Sequence, residues 1–202
     1  MSKRQFLLLL AAAAPLLAQD QPRIVCFGDS LTAGYGLDPG QGYPDLLQRE
    51  LDLRGYHYRV INRGQSGDTT QDALARLSSV IAEHPQIVIL EFGANDGLRG
   101  LPVSITEMHL ARLIEELRKA GAKVILAGIT LPPNYGPDYV TRFDAMYTTL
   151  AKRYQIPLIP FLLEGVATKP SLMQQDGLHP NAAGTRIVVQ NVLKTLLPLL
   201  RK

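Results

Sequence analysis

Residues 24–27, 87–90 and 124–127 are each apolar without a break, the first run closing at Gly28 and the second near Gly93. A half-exposed strand alternates polar and apolar residues. An unbroken run instead suits a strand covered on both faces, as in a parallel sheet between two layers of helices. Two further runs are weaker. Residues 58–61 are interrupted by Arg59, and residues 157–160 carry Pro157 and Pro160, which cannot donate to a ladder. Both read as edge strands.

Helical periods separate these runs. Ser104 and Glu107 have the spacing of a capping box, followed by a stripe of Leu110, Leu113, Ile114 and Leu117 that stops at Gly121. Leu74, Leu77, Val80 and Ile81 form a similar stripe ended by Pro85. Val189, Val192, Leu193, Leu196 and Leu200 form another, its last turn loosened by Pro198. Residues 42–54 and 137–153 fill the two remaining crossovers. Five strands joined by helices predict an α/β fold, a three-layer α/β/α sandwich around a five-stranded parallel sheet. Edge strands at the second and fifth positions fit the flavodoxin-like order 2-1-3-4-5. The crevice between strands one and three is then the switch point, where ligands bind at the strands' carboxyl ends. Such a fold serves many activities and decides none of them.

The chain of 202 residues is long enough for one domain with its own core, and 46% hydrophobic against 19% charged residues exclude a disordered chain. Lys3 and Arg4 precede an apolar run over residues 6–18, shorter than the ~20 residues that span a bilayer. The run closes on the small Ala18, with Gln19 and Asp20 after it. Residues 1–18 therefore read as a secretory signal cleaved near Ala18, leaving a single domain over 19–202 that is exported to the periplasm or beyond, without stable membrane insertion. Removing the signal takes Lys3 and Arg4 from 21 basic residues, which nearly balances the 18 acidic ones. Nucleic acid is not an expected partner, because phosphate binding needs a clustered positive face. Cys26 stands alone, so no disulfide forms within the chain, and no Cys/His spacing suggests a structural metal. A monomer is expected.

Polar blocks follow the strands. Residues 28–31 read Gly-Asp-Ser-Leu after strand one, residues 62–68 read Asn-Arg-Gly-Gln-Ser-Gly-Asp after strand two, and residues 93–97 read Gly-Ala-Asn-Asp-Gly after strand three. Residues 176–181, Asp-Gly-Leu-His-Pro-Asn, come past strand five. All would share one rim of the sheet. A serine hydroxyl is a poor nucleophile unless a base takes its proton. His57 precedes strand two, His84 ends a helix, and His109 lies mid-helix, which leaves His179 as the base available at the rim. Asp176, three residues earlier, can fold back onto the other ring nitrogen and fix the tautomer. Acyl transfer also needs donors for a developing oxyanion. Ser30 at a helix start has a free backbone N–H, Gly67 lies in a turn where backbone can approach a ligand, and Asn95 offers an amide. Gly67 reads equally as a plain turn and Asn95 as a loop cap; Asp29 and Asp96 read as structural caps.

The four blocks resemble those of the GDSL or SGNH hydrolase family, in order and over essentially all of residues 22–200. Within it the chain is most similar to the bacterial exported thioesterase I/lysophospholipase (arylesterase) group. Ser-Gly-Asp-Thr at 66–69, Gly-Ala-Asn-Asp-Gly-Leu-Arg-Gly at 93–100 and Leu-Pro-Pro-Asn-Tyr-Gly at 131–136 carry that closer likeness. The resemblance implies Ser30 as nucleophile, His179 as base, Asp176 as its orienter, and Ser30, Gly67 and Asn95 as oxyanion donors. It implies hydrolysis of an acyl ester, thioester or lipid with no cofactor and no metal. Two departures stand out: Ala94 replaces a more usual glycine, and Arg63 replaces a small residue and so brings charge near the site mouth. Leu98, Leu101 and the 131–135 loop with Asn134 and Tyr135 are the candidate acyl pocket. Gly97 and Gly100, bracketing Leu98 and Arg99, suggest a hinged lid there. The rival readings are a carbohydrate O-acetylesterase of the same family, a flavodoxin-like binding module without chemistry, and metal-dependent phosphoryl chemistry on Asp29, Asp96 and Asp176.

Overall fold

The computed structural model describes residues 21–202, so the expected signal over 1–18 and its cut near Ala18 lie outside the described residues. Five strands, β1 (Arg23–Gly28), β2 (Arg59–Gly64), β3 (Ile87–Glu91), β4 (Lys123–Ala127) and β5 (Leu158–Ile159), form one parallel sheet ordered β2-β1-β3-β4-β5. This is the order expected from the burial of the runs. Every residue of β3 is buried, as is β1 beyond Arg23, whereas β2 has no fully buried position. β5 keeps two residues only, because the prolines on either side lack the N–H that would extend its ladder.

Helices α2 (Tyr43–Leu53) and α7 (Ala182–Leu196) pack together as one outer layer. The other layer is α3 (Thr70–Ile81), α5 (Val103–Lys119) and α6 (Pro137–Tyr154), with α5 between its neighbours. Two short helices, α1 (Ser30–Ala33) and α4 (Ala94–Leu98), follow β1 and β3 at the carboxyl rim. Past α7, Pro198 tightens the chain into a single 3₁₀ turn at Leu197–Leu199, in line with its inability to continue an α-helix.

The capping box expected at Ser104 and Glu107 is absent. α5 starts two residues earlier than a Ser104 N-cap would place it, at Val103, behind an N-cap Pro102 that makes no side-chain cap. The carbonyl of Pro102 accepts from the N–H groups of Ile105 and Thr106 at 2.9 and 3.3 Å, so the turn is closed by backbone. A reciprocal box occurs instead on α3, where the Thr69 hydroxyl meets the Asp72 N–H at 3.3 Å and the Asp72 carboxylate accepts the Thr69 N–H at 2.9 Å.

The ends of β1 and β2 fix where α1 lies. Gly28 stands in register with Gly64 on β2 and Glu91 on β3. A Cβ on Gly64 would strike the backbone of Thr32 and Ala33, which cannot swing aside as a side chain does. Gly64→Ala should therefore lift α1 off the sheet. We expect a loss of about 1–3 kcal/mol of stability, the usual scale for overpacking, seen as a lower urea midpoint with an unchanged m-value.

Candidate active site

Ser30 is the first residue of α1, capped by Asp29, whose Oδ1 accepts the Leu31 N–H at 3.0 Å. A residue at this position has no intrahelical acceptor for its own N–H, which therefore faces the rim. Its hydroxyl Oγ lies 2.8 Å from His179 Nε2. The imidazole Nδ1 lies 2.6 Å from Asp176 Oδ2, and Asp176 Oδ1 accepts the backbone N–H groups of Leu178 and His179 at 2.9 and 3.0 Å. Partial burial would raise the Asp176 carboxyl, but the His179 ring bond and these backbone donors outweigh it and hold the group below its usual value. An ionised Asp176 keeps the proton of neutral His179 on Nδ1 and leaves Nε2 as the acceptor facing Ser30.

Two side chains absent from the sequence reading hold the imidazole in place. The Tyr35 ring lies 4.7 Å from that of His179, centroid to centroid, and Gln174 donates to the carbonyls of Tyr35 and Pro180 at 2.7 and 3.0 Å. Nothing in the local pattern around Tyr35 marks it, since the contact is with a loop that arrives from the other end of the chain.

The two expected oxyanion donors besides Ser30, Gly67 and Asn95, lie past β2 and β3. Gly67 has φ of +87°, a conformation that favours glycine, and its carbonyl accepts from Arg99 Nη2 at 2.9 Å. Asn95, in the first turn of α4, donates through Nδ2 to Asp68 O at 2.9 Å and to Asp29 Oδ2 at 3.3 Å. An oxyanion would have to share or take over one of these amide hydrogens. Arg76 on α3 ties the same loops from beneath: it pairs with Asp68 at 2.6 Å and donates to the carbonyls of Arg63 and Gly28 at 2.8 and 2.9 Å.

Arg63 itself does not place charge at the site mouth. Its guanidinium pairs with Glu83, whose carbonyl is bound by Arg23 at the amino end of β1, on the far edge of the sheet from Ser30. Asp29, Asp96 and Asp176 do not converge either. Asp96 is buried and accepts the N–H and hydroxyl of Thr70, the N–H at 2.9 Å, while Asp29 caps α1. Among the described residues, no three His, Cys, Asp or Glu side chains gather as a metal site.

A cavity of about 490 Å³ opens beside Ser30 and His179, walled by Leu31, Leu98, Ile129, Leu131, Phe161 and Leu163 among others. Leu98 lies on this wall as expected, but Leu101, Asn134 and Tyr135 do not; Pro132 and Pro133 are what the 131–135 loop contributes with Leu131. The displaced residues brace the wall from behind. The Tyr135 hydroxyl donates to Leu98 O at 2.9 Å, and Tyr139 donates to Leu101 O at 2.6 Å. Gly97 is no hinge. It is buried within α4, and a Cβ there would meet Leu131 and Phe143. A separate hollow of about 590 Å³ lies between α5 and α6 and shares no residue with the rim blocks around Ser30 and His179.

Comparison with known proteins agrees with this geometry. Residues 26–187 match the GDSL-like Lipase/Acylhydrolase family. The chain is 44% identical over 200 residues to the Esterase TesA of Pseudomonas aeruginosa, covering 98% of this chain and 100% of that protein. It is 40% identical over 198 residues to the Thioesterase 1/protease 1/lysophospholipase L1 of Escherichia coli, covering 96% and 90%. A crystal structure of TesA superposes with a TM-score of 0.85 at 45% identity, over 88% of this chain and 99% of that one. Among the described residues, no helix is long and apolar enough to cross a membrane. With a serine–histidine pair at the switch point and homology along nearly its whole length, the chain belongs to the GDSL-like lipase/acylhydrolase family and is a serine hydrolase of ester or thioester bonds.

Proposed function

We propose that the protein is an exported, monomeric esterase for acyl chains longer than acetyl, working through an acyl-enzyme on Ser30. One observation carries this reading: the Ser30–His179 hydrogen bond of 2.8 Å stands at the mouth of a cavity walled mainly by aliphatic and aromatic side chains. In this reading His179 Nε2 takes the Ser30 proton as Oγ attacks the carbonyl, and Asp176 stabilises the imidazolium that forms. The N–H groups of Ser30 and Gly67 and the Asn95 amide receive the oxyanion. His179 then hands its proton to the leaving group. Water, deprotonated in turn by His179, releases the acid and restores Ser30.

Esters of lysophospholipids and similar amphiphiles fit this cavity: the chain enters the apolar side while the polar head stays at the open rim. The P. aeruginosa and E. coli relatives carry esterase, thioesterase and lysophospholipase names. Export rests on the Lys3–Arg4 head and the apolar run behind it. After cleavage the near balance of charge gives nucleic acid no basic face to bind.

An organophosphonate should label Ser30 stoichiometrically. Ser30→Ala and His179→Ala should each lower kcat by several orders of magnitude, and the double variant should lose little more, because the two groups act as a unit. Additive losses, or no labelling, would reject the assignment and favour a binding module.

Asp176 is held below its usual carboxylate range, so it stays ionised through weakly acidic solution. A group lowered in the folded state contributes stability above its unfolded value and loses it only as pH falls through the lower folded value. Any fall of kcat/KM on mild acidification, where Asp176 remains ionised, should accordingly not arise from Asp176. Asp176→Asn should lower kcat at every pH without flattening that limb.

Rates on p-nitrophenyl esters from acetyl to dodecanoyl separate this reading from a sugar deacetylase. We expect the optimum beyond acetyl, and Leu98→Ser should raise KM several-fold for octanoyl esters while leaving acetate nearly unaffected. A collapse beyond two carbons in the unmodified enzyme would favour the deacetylase.

A further inference from the structure

Glu91 ends β3 with its side chain fully buried, at 0% exposure. A bare carboxylate is not stable in such a place without compensating partners. Its Oε2 accepts from the Thr32 hydroxyl at 2.8 Å and from the Asp29 N–H at 3.2 Å, while Oε1 is buried with no donor at all. Asp29 is equally buried, and its backbone N–H ties it directly to Glu91. Two carboxyls buried side by side without a cation between them cannot both stay ionised, so one of the pair carries a proton.

The surroundings say which one. Asp29 receives the Leu31 N–H on Oδ1 and the Asn95 amide on Oδ2, two donors that favour its ionised form. Burial pushes Asp29 up to about 6 against these bonds, whereas burial and the adjacent Asp29 push Glu91 well above its ordinary range. The other groups facing the pair supply no compensating cation to Glu91. They are His179 toward Asp29, Tyr43 on α2 and Tyr147 on α6. Arg76 on α3 spends its guanidinium on Asp68 and on the Gly28 and Arg63 carbonyls.

We propose that Glu91 is a positioning residue for the acyl-transfer site: its carboxyl is protonated and, through Oε2, holds the Asp29 N–H and the Thr32 hydroxyl, keeping Asp29 where it caps α1 beneath Ser30 and anchors the Asn95 amide. This rests on the reading of Asn95 as an oxyanion donor. Without the proton on Glu91, two buried carboxylates would repel each other. Asp29 would then turn away from Leu31 and Asn95, misplacing both the nucleophile's helix and the donor amide. Loss of the device should fall on kcat, since the acyl cavity is walled by other residues.

Infrared spectroscopy of the wild-type protein at pH 8 reads the proton directly. Exposed carboxyls are ionised there, and we expect the carbonyl stretch of a protonated carboxylic acid, absent in Glu91→Gln. No such band in the wild type, or the same band in Glu91→Gln, would overturn the protonated Glu91. Kinetics on p-nitrophenyl butyrate read the positioning. Glu91→Leu, which can neither donate nor accept, should lower kcat about tenfold with KM little changed, a barrier change expected of one misaligned donor group. Glu91→Gln reproduces the donor and acceptor of a protonated Glu91 and should recover most of that loss. In an Asn95→Ala background, itself expected to lose about 10²–10³ in kcat, Glu91→Leu should cost far less than it does in the wild type. Additive losses, or equal losses in Glu91→Gln and Glu91→Leu, would overturn the positioning role. A normal kcat in Asn95→Ala would remove the oxyanion reading and Glu91's route to catalysis with it, whatever the infrared band shows. A missing band beside the expected Asn95→Ala loss would overturn the protonated Glu91 alone.

Discussion

At the carboxyl end of β1, Gly28, Gly64 and Glu91 stand side by side in register, and α1 turns directly over them. The close approach has a strict steric basis: side chains at Gly28 or Gly64 would occupy the space of Thr32, Ala33 or the Glu91 carboxyl. What the glycines make possible is a helix start seated on the sheet with no intervening loop to flex. Ser30 is thus held by packed backbone, and the donor residues on the neighbouring loops are referenced to the same point. The rigidity costs a buried acidic pair, Asp29 with Glu91, where most such positions in a sheet would hold aliphatic side chains.

From this seat the division of labour in the molecule is clear. The sheet and its two helical layers supply a fixed rim, and the cavity beside Ser30 is walled by short helices and loops on that rim. Arg76 and Arg99 act as cross-ties there, Arg76 through Asp68 and the carbonyls of Gly28 and Arg63, Arg99 through the carbonyl of Gly67. Tyr135 and Tyr139 do the same for the wall behind Leu98 through their hydroxyls. The cavity beside Ser30 is thus braced from behind, which limits the side-chain ordering that any ligand must induce.

The strands, their order and the rim position of Ser30, Gly67, Asn95, Asp176 and His179 were legible because each is written in a local pattern. Unbroken apolar runs mark strands covered on both faces, prolines mark edges, and polar blocks directly after strands must fall at carboxyl ends. What escaped was decided by tertiary contact. Ser104 and Glu107 match a capping box, yet the chain enters α5 two residues sooner, through Pro102. Arg63 follows a strand toward the rim, yet its long side chain reaches back to Glu83. Leu101 and Tyr135 are neighbours of the cavity in sequence and face its back rather than its interior. Glu91 did carry a signal, a carboxylate closing an otherwise apolar buried run, whose meaning depends on Asp29 from a strand 62 residues away.

The imidazole and its carboxylate partner sit three residues apart in one turn, while the hydroxyl they activate lies 149 residues away in sequence. The turn is anchored by the Met173–Pro180 bridge and leads straight into α7, which packs across the sheet onto α2. Nucleophile and base thus belong to the two ends of the chain, and only the finished domain unites them. A newly made chain would remain chemically silent until its last helix docks, and hydrolysis would begin as a by-product of that closure. For a hydrolase of ester or thioester bonds, assembly itself then works as a safety catch.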